Sequence, residues 1–287
     1  MTDSAAPRTN SDRLVTLGIG ARVSHPTGDA WSVDSYGRPI ILPGMAGVCY
    51  NVRVGSPVFT WAADHLEAAV SAGGTGPPPD ADLQVLACVG NPVRVLTGPA
   101  AGGEGTVVGK HAFVLIDFPQ ETLDLLGPGD RLLVRARGQG LRLLDFPDVA
   151  LRSCSPELLD ALPVRVGDGA LEIAVAAEIP AFLMGAGIGM SSEWANCDVM
   201  LTRPDSVADL GYEHLRIGDV VAMIDQDHRY GRGSRSGSCA IGIVAHGIGV
   251  IPGHGTGVIT IMSGPRERFA LEADPGANVG TSLGLPA

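Results

Sequence analysis

The sequence predicts a mainly β protein of two lobes, each made of short strands in a small barrel or sandwich, with a few short helices. Three observations carry that expectation. Glycine and proline, 40 and 21 of the 287 residues, punctuate the chain at intervals of roughly 8–12 residues, the rhythm of strand and turn in such folds. Between them lie brief runs rich in Val, Ile and Leu, of strand rather than helix length. Helical spacing is confined to three stretches, Phe59–Val70, Gln120–Leu126 and Pro156–Ala161.

Along the chain, residues 1–13 are polar and read as a loose tail, neither a secretory signal nor an Arg-rich transit peptide. An amino-terminal lobe is expected over 14–150. Its strand-like runs are Gly47–Val54, Leu83–Val89, Ala112–Phe118 and Arg131–Ala136, and a helix is expected over 59–70, where Trp61, His65 and Ala69 recur every fourth residue. Gly73–Asp80 (GGTGPPPD) reads as a surface loop or hinge. The boundary falls within Phe146–Pro163. A carboxy-terminal lobe over 151–287 follows, with strand-like runs Leu171–Ala177, Val220–Ile224, Cys239–Ala245 and Val258–Met262. One echo links the lobes: Leu126–Arg135 (LGPGDRLLVR) and Leu215–Ile224 (LRIGDVVAMI) each set Gly-Asp immediately before an apolar run, as if the same turn opened a strand in each.

Composition narrows the function classes. The net charge of −11 comes without a basic stripe, so a phosphate backbone would be repelled and no nucleic acid partner is expected. No apolar run of about 18 residues escapes interruption, which predicts no membrane span. Five cysteines, an odd number without a CxxC pair, argue against a disulfide framework or zinc ribbon and fit a reducing cytoplasm. Gly102–His111 (GGEGTVVGKH) lacks the spacing and the Ser or Thr of a phosphate-binding loop, and Met184–Met190 (MGAGIGM) lacks the dinucleotide spacing.

Several groups remain for chemistry. Lys110 is the single lysine among twenty Lys and Arg residues, so its position calls for a titratable amine, or is an exposed lysine kept by chance. His111 follows it and would point to the opposite side in a strand, so the two serve one site only in a turn. Asp64, His65 and Glu67 form the densest early titratable cluster; on the expected helix Asp64 and Glu67 share a face and His65 does not. They read as an acid/base set or as a solvated helix face. Cys88 and Asn91, at a glycine turn, offer a nucleophile or a substrate-orienting amide, or are simply buried. His246, His254, Asp225 and Asp227 are the candidate metal ligands, although Asp225 and Asp227, with arginines nearby, read equally as a salt-bridged loop. His254 also sits in a glycine-rich loop, Pro252–Gly257, suited to holding an anion.

Blocks in order from about residue 14 to about residue 280 carry a resemblance. They include Gly47–Val54 (GVCYNVRV), Ala63–Ser71 (ADHLEAAVS), Cys88–Pro92 (CVGNP), Gly105–His111 (GTVVGKH), Gly138–Leu143 (GQGLRL), Met184–Met190, Leu215–Asp219 (LRIGD) and Ala245–Val258 (AHGIGVIPGHGTGV). Together they resemble the DUF4438 family, a resemblance that implies a two-part, mainly β fold and a homo-oligomer but no chemistry. This chain departs from the family pattern where it has DHLEAAVS in place of a DHVEPGVS-like segment, and Gly109–Phe113 (GKHAF) in place of GKHGG. Ala112 and Phe113 are therefore expected to reshape a neighbouring pocket.

The function expected from these residues is an enzyme of small-molecule metabolism. General acid/base groups would hydrolyse, eliminate or cyclise at a C–N or C–O bond without an organic cofactor. Lys110, His111, Asp64, His65 and Glu67 would be catalytic, with Asn91, Cys88 and His254 on the substrate. The alternatives are a metal-dependent hydrolase, using a divalent ion, and a non-catalytic oligomeric ligand-binding protein.

Overall fold

The computed structural model describes residues 5–28, 32–75, 81–202 and 204–285. Its first half contains β1 (Leu17–Val23), the β2–β3 hairpin (Ser32–Val33 and Pro39–Ile40), β4 (Gly47–Cys49), β5 (Ala69–Gly74), α1 (Ala81–Leu86), β6 (Pro92–Val95), β7 (Glu104–Lys110), β8 (Val114–Asp117), α2 (Gln120–Leu123) and β9 (Arg131–Ala136). Six of these strands close on themselves in the order β1-β9-β6-β7-β8-β5, because β5 pairs back with β1; β4 extends the sheet from β5. Closure leaves no free edge among these six strands, and both members of alternate cross-strand pairs point inward: Ile19 lies opposite Val134, Val93 opposite Val134, and Val107 and Val70 opposite Ile116. All six of these side chains are in one buried apolar cluster. The alternating burial of β6 and β9 is what a one-sided strand requires, whereas β8 is buried throughout.

The second half contains β10 (Ala150–Leu151), α3 (Pro156–Ala161), β11 (Arg165–Val166), β12 (Leu171–Val175), β13 (Ala177–Ile179), β14 (Cys197–Val199), α4 (Pro204–Leu210), β15 (Val220–Asp227), β16 (Gly233–Val244), β17 (Thr256–Pro265), β18 (Phe269–Ala273) and α5 (Val279–Ser282). The main sheet runs β10-β17-β16-β15-β13, with β14 also on β17; β11, β12 and β18 make a smaller sheet. Its central strands are apolar on both faces, and period-two alternation sends them into two cores. Val220, Ala222, Ile241 and Ile243 join the core under α3. Val221, Met223, Ala240 and Val244 join a second core shared with Val52, Val58, Leu66 and Ala68 of the first half. That second core is the seam between the halves, and the pocket described below lies along it.

Two expectations about elements are corrected. Phe59–Val70 forms no helix: the chain runs through bends until β5 begins at Ala69. Its backbone groups bond to distant loops instead, Asp64 N–H to Pro43 O, His65 N–H to Ile248 O and Glu67 N–H to Gly44 O. The run Leu83–Val89 is not a strand; α1 occupies its first part, since short apolar runs suit either element. Of the amino-terminal tail, residues 5–13 are tied down. Arg8 pairs with Asp145, and Asn10 bonds Gly140 O and Arg142 N–H. The loop expected at Gly73–Asp80 lies, from residue 76, outside the described residues.

The Gly-Asp echo is one turn used twice. Gly129 and Gly218 both have positive φ, 95° and 91°. The carboxylates of Asp130 and Asp219 each accept the amide three residues back, at 3.0 and 2.8 Å, before β9 and β15 respectively. No helix among the described residues is long and apolar enough to cross a membrane.

Candidate active site

Three loops meet at the seam: 42–47, 58–68 and 246–257. Backbone bonds lock them, with Gly247 N–H to Leu66 O, Ile248 N–H to Val58 O, and an isolated bridge between Glu67 and His246. Together with the end of β7, they bring four histidine rings, His65, His111, His246 and His254, into contact. Ring centroids lie 5.5 Å apart for His65 and His111, which are stacked, 4.8 Å for His65 and His254, and 4.2 Å for His111 and His246.

Asp198, on β14, is the hub. Its Oδ2 is 2.9 Å from His254 Nδ1 and 3.5 Å from His65 Nε2, while its Oδ1 accepts Asn196 Nδ2 at 3.0 Å and lies 3.6 Å from His246 Nε2. Burial would raise this carboxyl, but the neighbouring His246, His254 and His65 hold it far below the ordinary carboxylate range. His65 shows the converse: burial lowers it, yet Asp198 and Asp64 lift it to about 9. Its Nδ1 faces Asp64 Oδ2 at 3.0 Å, and Asp64 Oδ1 accepts Val250 N–H at 2.7 Å. His65 Nε2 and His254 Nδ1 are only 2.9 Å apart. Together with Asp198 they could hold a metal ion, one ligand atom each, all within 4.8 Å of one another.

His111 belongs to a second, adjoining unit. Its Nδ1–H donates to Glu67 Oε1 at 2.8 Å; Glu67 Oε2 accepts Ser71 Oγ–H at 2.5 Å and Ala46 N–H at 2.8 Å. Burial pushes the Glu67 carboxyl up, and the hydrogen bond with His111 outweighs it, so Glu67 stays ionised. His111 Nε2 has no protein partner among the described residues. His246 is fully buried; burial and the neighbouring His111 lower its pKa, and its Nδ1–H donates to Gly247 O.

The cluster opens into a cavity of about 240 Å³ lined by Asp64, His65, His111 and His254 and by the apolar side chains of Ile40, Leu42 and Met45. Ile40 and Leu42 also line a neighbouring apolar hollow of about 450 Å³ with Phe59 and Trp61. A wider hollow, about 820 Å³, lies on the barrel wall; no imidazole lines it, and its buried carboxylate, Asp117, is spent on Arg53.

Backbone strain marks the same place. Six non-glycine residues among those described have positive φ, and they include His65 itself, Ala46, which donates to Glu67, and Ala195 beside Asn196. Glycine is required where the rings press on the backbone, since a Cβ on Gly249 would lie 2.4 Å from His65 Nε2 and one on Gly257 2.1 Å from His246 Nε2.

The structure thus brings together Asp64, His65, Glu67, His111, His246 and His254. It does not bring the others. Lys110 leaves β7 on the opposite side from His111, is fully buried, and donates to Ser153 Oγ at 2.9 Å and Glu193 O at 3.2 Å; burial lowers its pKa to about 8. Asn91 is consumed by Cys88 N–H and the backbone of Arg137, and Cys88 is buried, its thiol pushed up to about 11. Asp227 is bound by Arg229 and Arg235, and Asp225 accepts Gly237 N–H, at the other end of the β15–β16 hairpin from His246. The carboxylate beside the histidines is that of Asp198, not of Asp225 or Asp227. Neither Ala112 nor Phe113 lines the cavity; Phe113 packs by Val108, Leu115 and Ala245. Asp198 and Asn196 were not singled out in the sequence, where the one signal is an acid inside the apolar run Cys197–Val199.

Fold and site together define a two-part, mainly β protein with a histidine-rich pocket at its seam. The chain belongs to the DUF4438 family: the model of its amino-terminal domain of unknown function matches residues 31–160 and that of its carboxy-terminal domain residues 161–283. It is similar to the crystal structure of TM1086 of Thermotoga maritima, with 38% identity and a TM-score of 0.93 over 96% of this chain and 99% of that one. No curated protein matches.

Proposed function

We propose that the protein is an enzyme of small-molecule metabolism that acts on a C–N or C–O bond by general acid/base catalysis at this pocket. The observation that carries the reading is the His111–Glu67 pair. A buried carboxylate fixes one ring nitrogen as donor and leaves the other, on the cavity wall, free to take a proton from a reactant and return it to a leaving group. His65 and His254, anchored on Asp198, line the same cavity beside His111 and polarise the acceptor oxygen of the substrate. The cavity volume supports a small substrate.

The test is turnover of a panel of small amides, lactams, esters and lactones. On any compound turned over, His111→Gln is expected to lower kcat/KM by about 100-fold or more, the usual scale of a lost acid/base group. Glu67→Gln, equal in shape, is expected to lower kcat at least about 10-fold with little change in KM, because the ring loses its fixed tautomer. An unchanged kcat/KM in a folded His111→Gln protein overturns the reading.

A further inference from the structure

His65 Nε2, His254 Nδ1 and Asp198 Oδ2 form a triangle with edges of 2.9, 2.9 and 3.5 Å. With bonds of about 2.1 Å, a tetrahedral ion holds its ligand atoms roughly 3.4 Å apart and an octahedral ion roughly 3.0 Å. We propose that these three side chains form a binding site for one zinc ion, with its remaining coordination position turned to the cavity.

The atoms behind the triangle support it. Asp64 fixes His65 through Nδ1, leaving Nε2 for the ion, and Val250 N–H fixes Asp64 in turn, so a carboxylate, an imidazole and the ion stand in line. Asn196 occupies Oδ1 of Asp198 and leaves Oδ2. With their protons given up, two imidazole nitrogens 2.9 Å apart and a carboxylate oxygen present three lone pairs to one point, the arrangement a cation takes up. Two imidazoles and one carboxylate with an open position is the ligand set of hydrolytic zinc. His111 is outside this group and stays free to act as base.

The inference rests on the reading of this pocket as a catalytic site and narrows it to hydrolysis. Water on the ion gives a proton to His111 Nε2 and its oxygen bonds to the acyl carbon of the substrate. The C–N or C–O bond then breaks, and the leaving group takes the proton from His111. No oxidant or reductant is consumed.

The experiment is elemental analysis of the full chain purified without a tag, followed by zinc titration of the chelated protein by calorimetry. One zinc per chain is expected. Asp198→Asn and His254→Ala are each expected to weaken zinc binding at least about 100-fold, and Asp64→Asn about 10- to 100-fold. His111→Gln should bind zinc like the wild type. His254 is a third exposed, so its removal leaves the core intact and serves as the folded control. Absence of zinc binding, binding unaffected by His254→Ala and Asp198→Asn, or exclusive binding of iron overturns the inference. Metal-free protein that still depends on His111 for turnover overturns this inference alone; zinc-loaded protein indifferent to His111→Gln overturns only the acid/base role.

Discussion

Lys110 and His111 are neighbours in sequence and leave the end of β7 on opposite sides, one into the interior and the other to the cavity wall. The singularity of Lys110 was legible in the sequence; its environment was not, because Ser153 and Glu193 reach it from 43 and 83 residues away. Among the described residues no carboxylate pairs with it. Its folded pKa, about 8, lies below the ordinary 10.5, so the folded chain binds fewer protons than the unfolded chain between those values. The charge penalty is fully present below pH 8 and is relieved as pH rises through 10.5. Urea unfolding should therefore show the wild type gaining stability over Lys110→Met by on the order of 3 kcal/mol across that window. A difference independent of pH would show that the amine is not desolvated.

Local turns were the elements most readily legible, and long-range loops the least. Gly-Asp before β9 and before β15 could be read from four residues, because a positive-φ glycine and a carboxylate returning to an amide three residues back need no distant partner. Their energies differ, since Asp219 is fully buried and also accepts Asn278 Nδ2, while Asp130 is half-buried. Asp130→Ala should cost about 1 kcal/mol and Asp219→Ala about 3 kcal/mol or more, as measured by denaturant titration. Phe59–Val70 misled because apolar spacing by four coincided with a segment whose amides are taken by Pro43, Gly44 and Ile248. At the same loops, Gly249→Ala and Gly257→Ala are expected to unseat His65 and His246. Turnover should fall with each, with a loss of stability of about 1–3 kcal/mol. Retention of both activity and stability would mean that the rings are not pressed on the backbone as described.

At the scale of the molecule, the mainly β class followed from the Gly and Pro rhythm, but the convergence of the site did not. His65 and Glu67 come from the first half, His111 from the end of a barrel strand, and Asp198, His246 and His254 from the second sheet and its loops. They meet only after the barrel closes and Val221, Met223 and Val244 pack against Val52, Val58 and Leu66. The residue types were visible in the sequence; Asp198, a single acid in a three-residue strand, carried no spacing that pointed to the histidines. On the proposed function, the seam pocket, rather than the buried lysine, carries the chemistry. The most direct test is kcat/KM on one turned-over substrate for His111→Gln and Lys110→Met side by side. A loss of about 100-fold or more is expected for His111→Gln and a change of less than about 3-fold for folded Lys110→Met. The reverse order would contradict it.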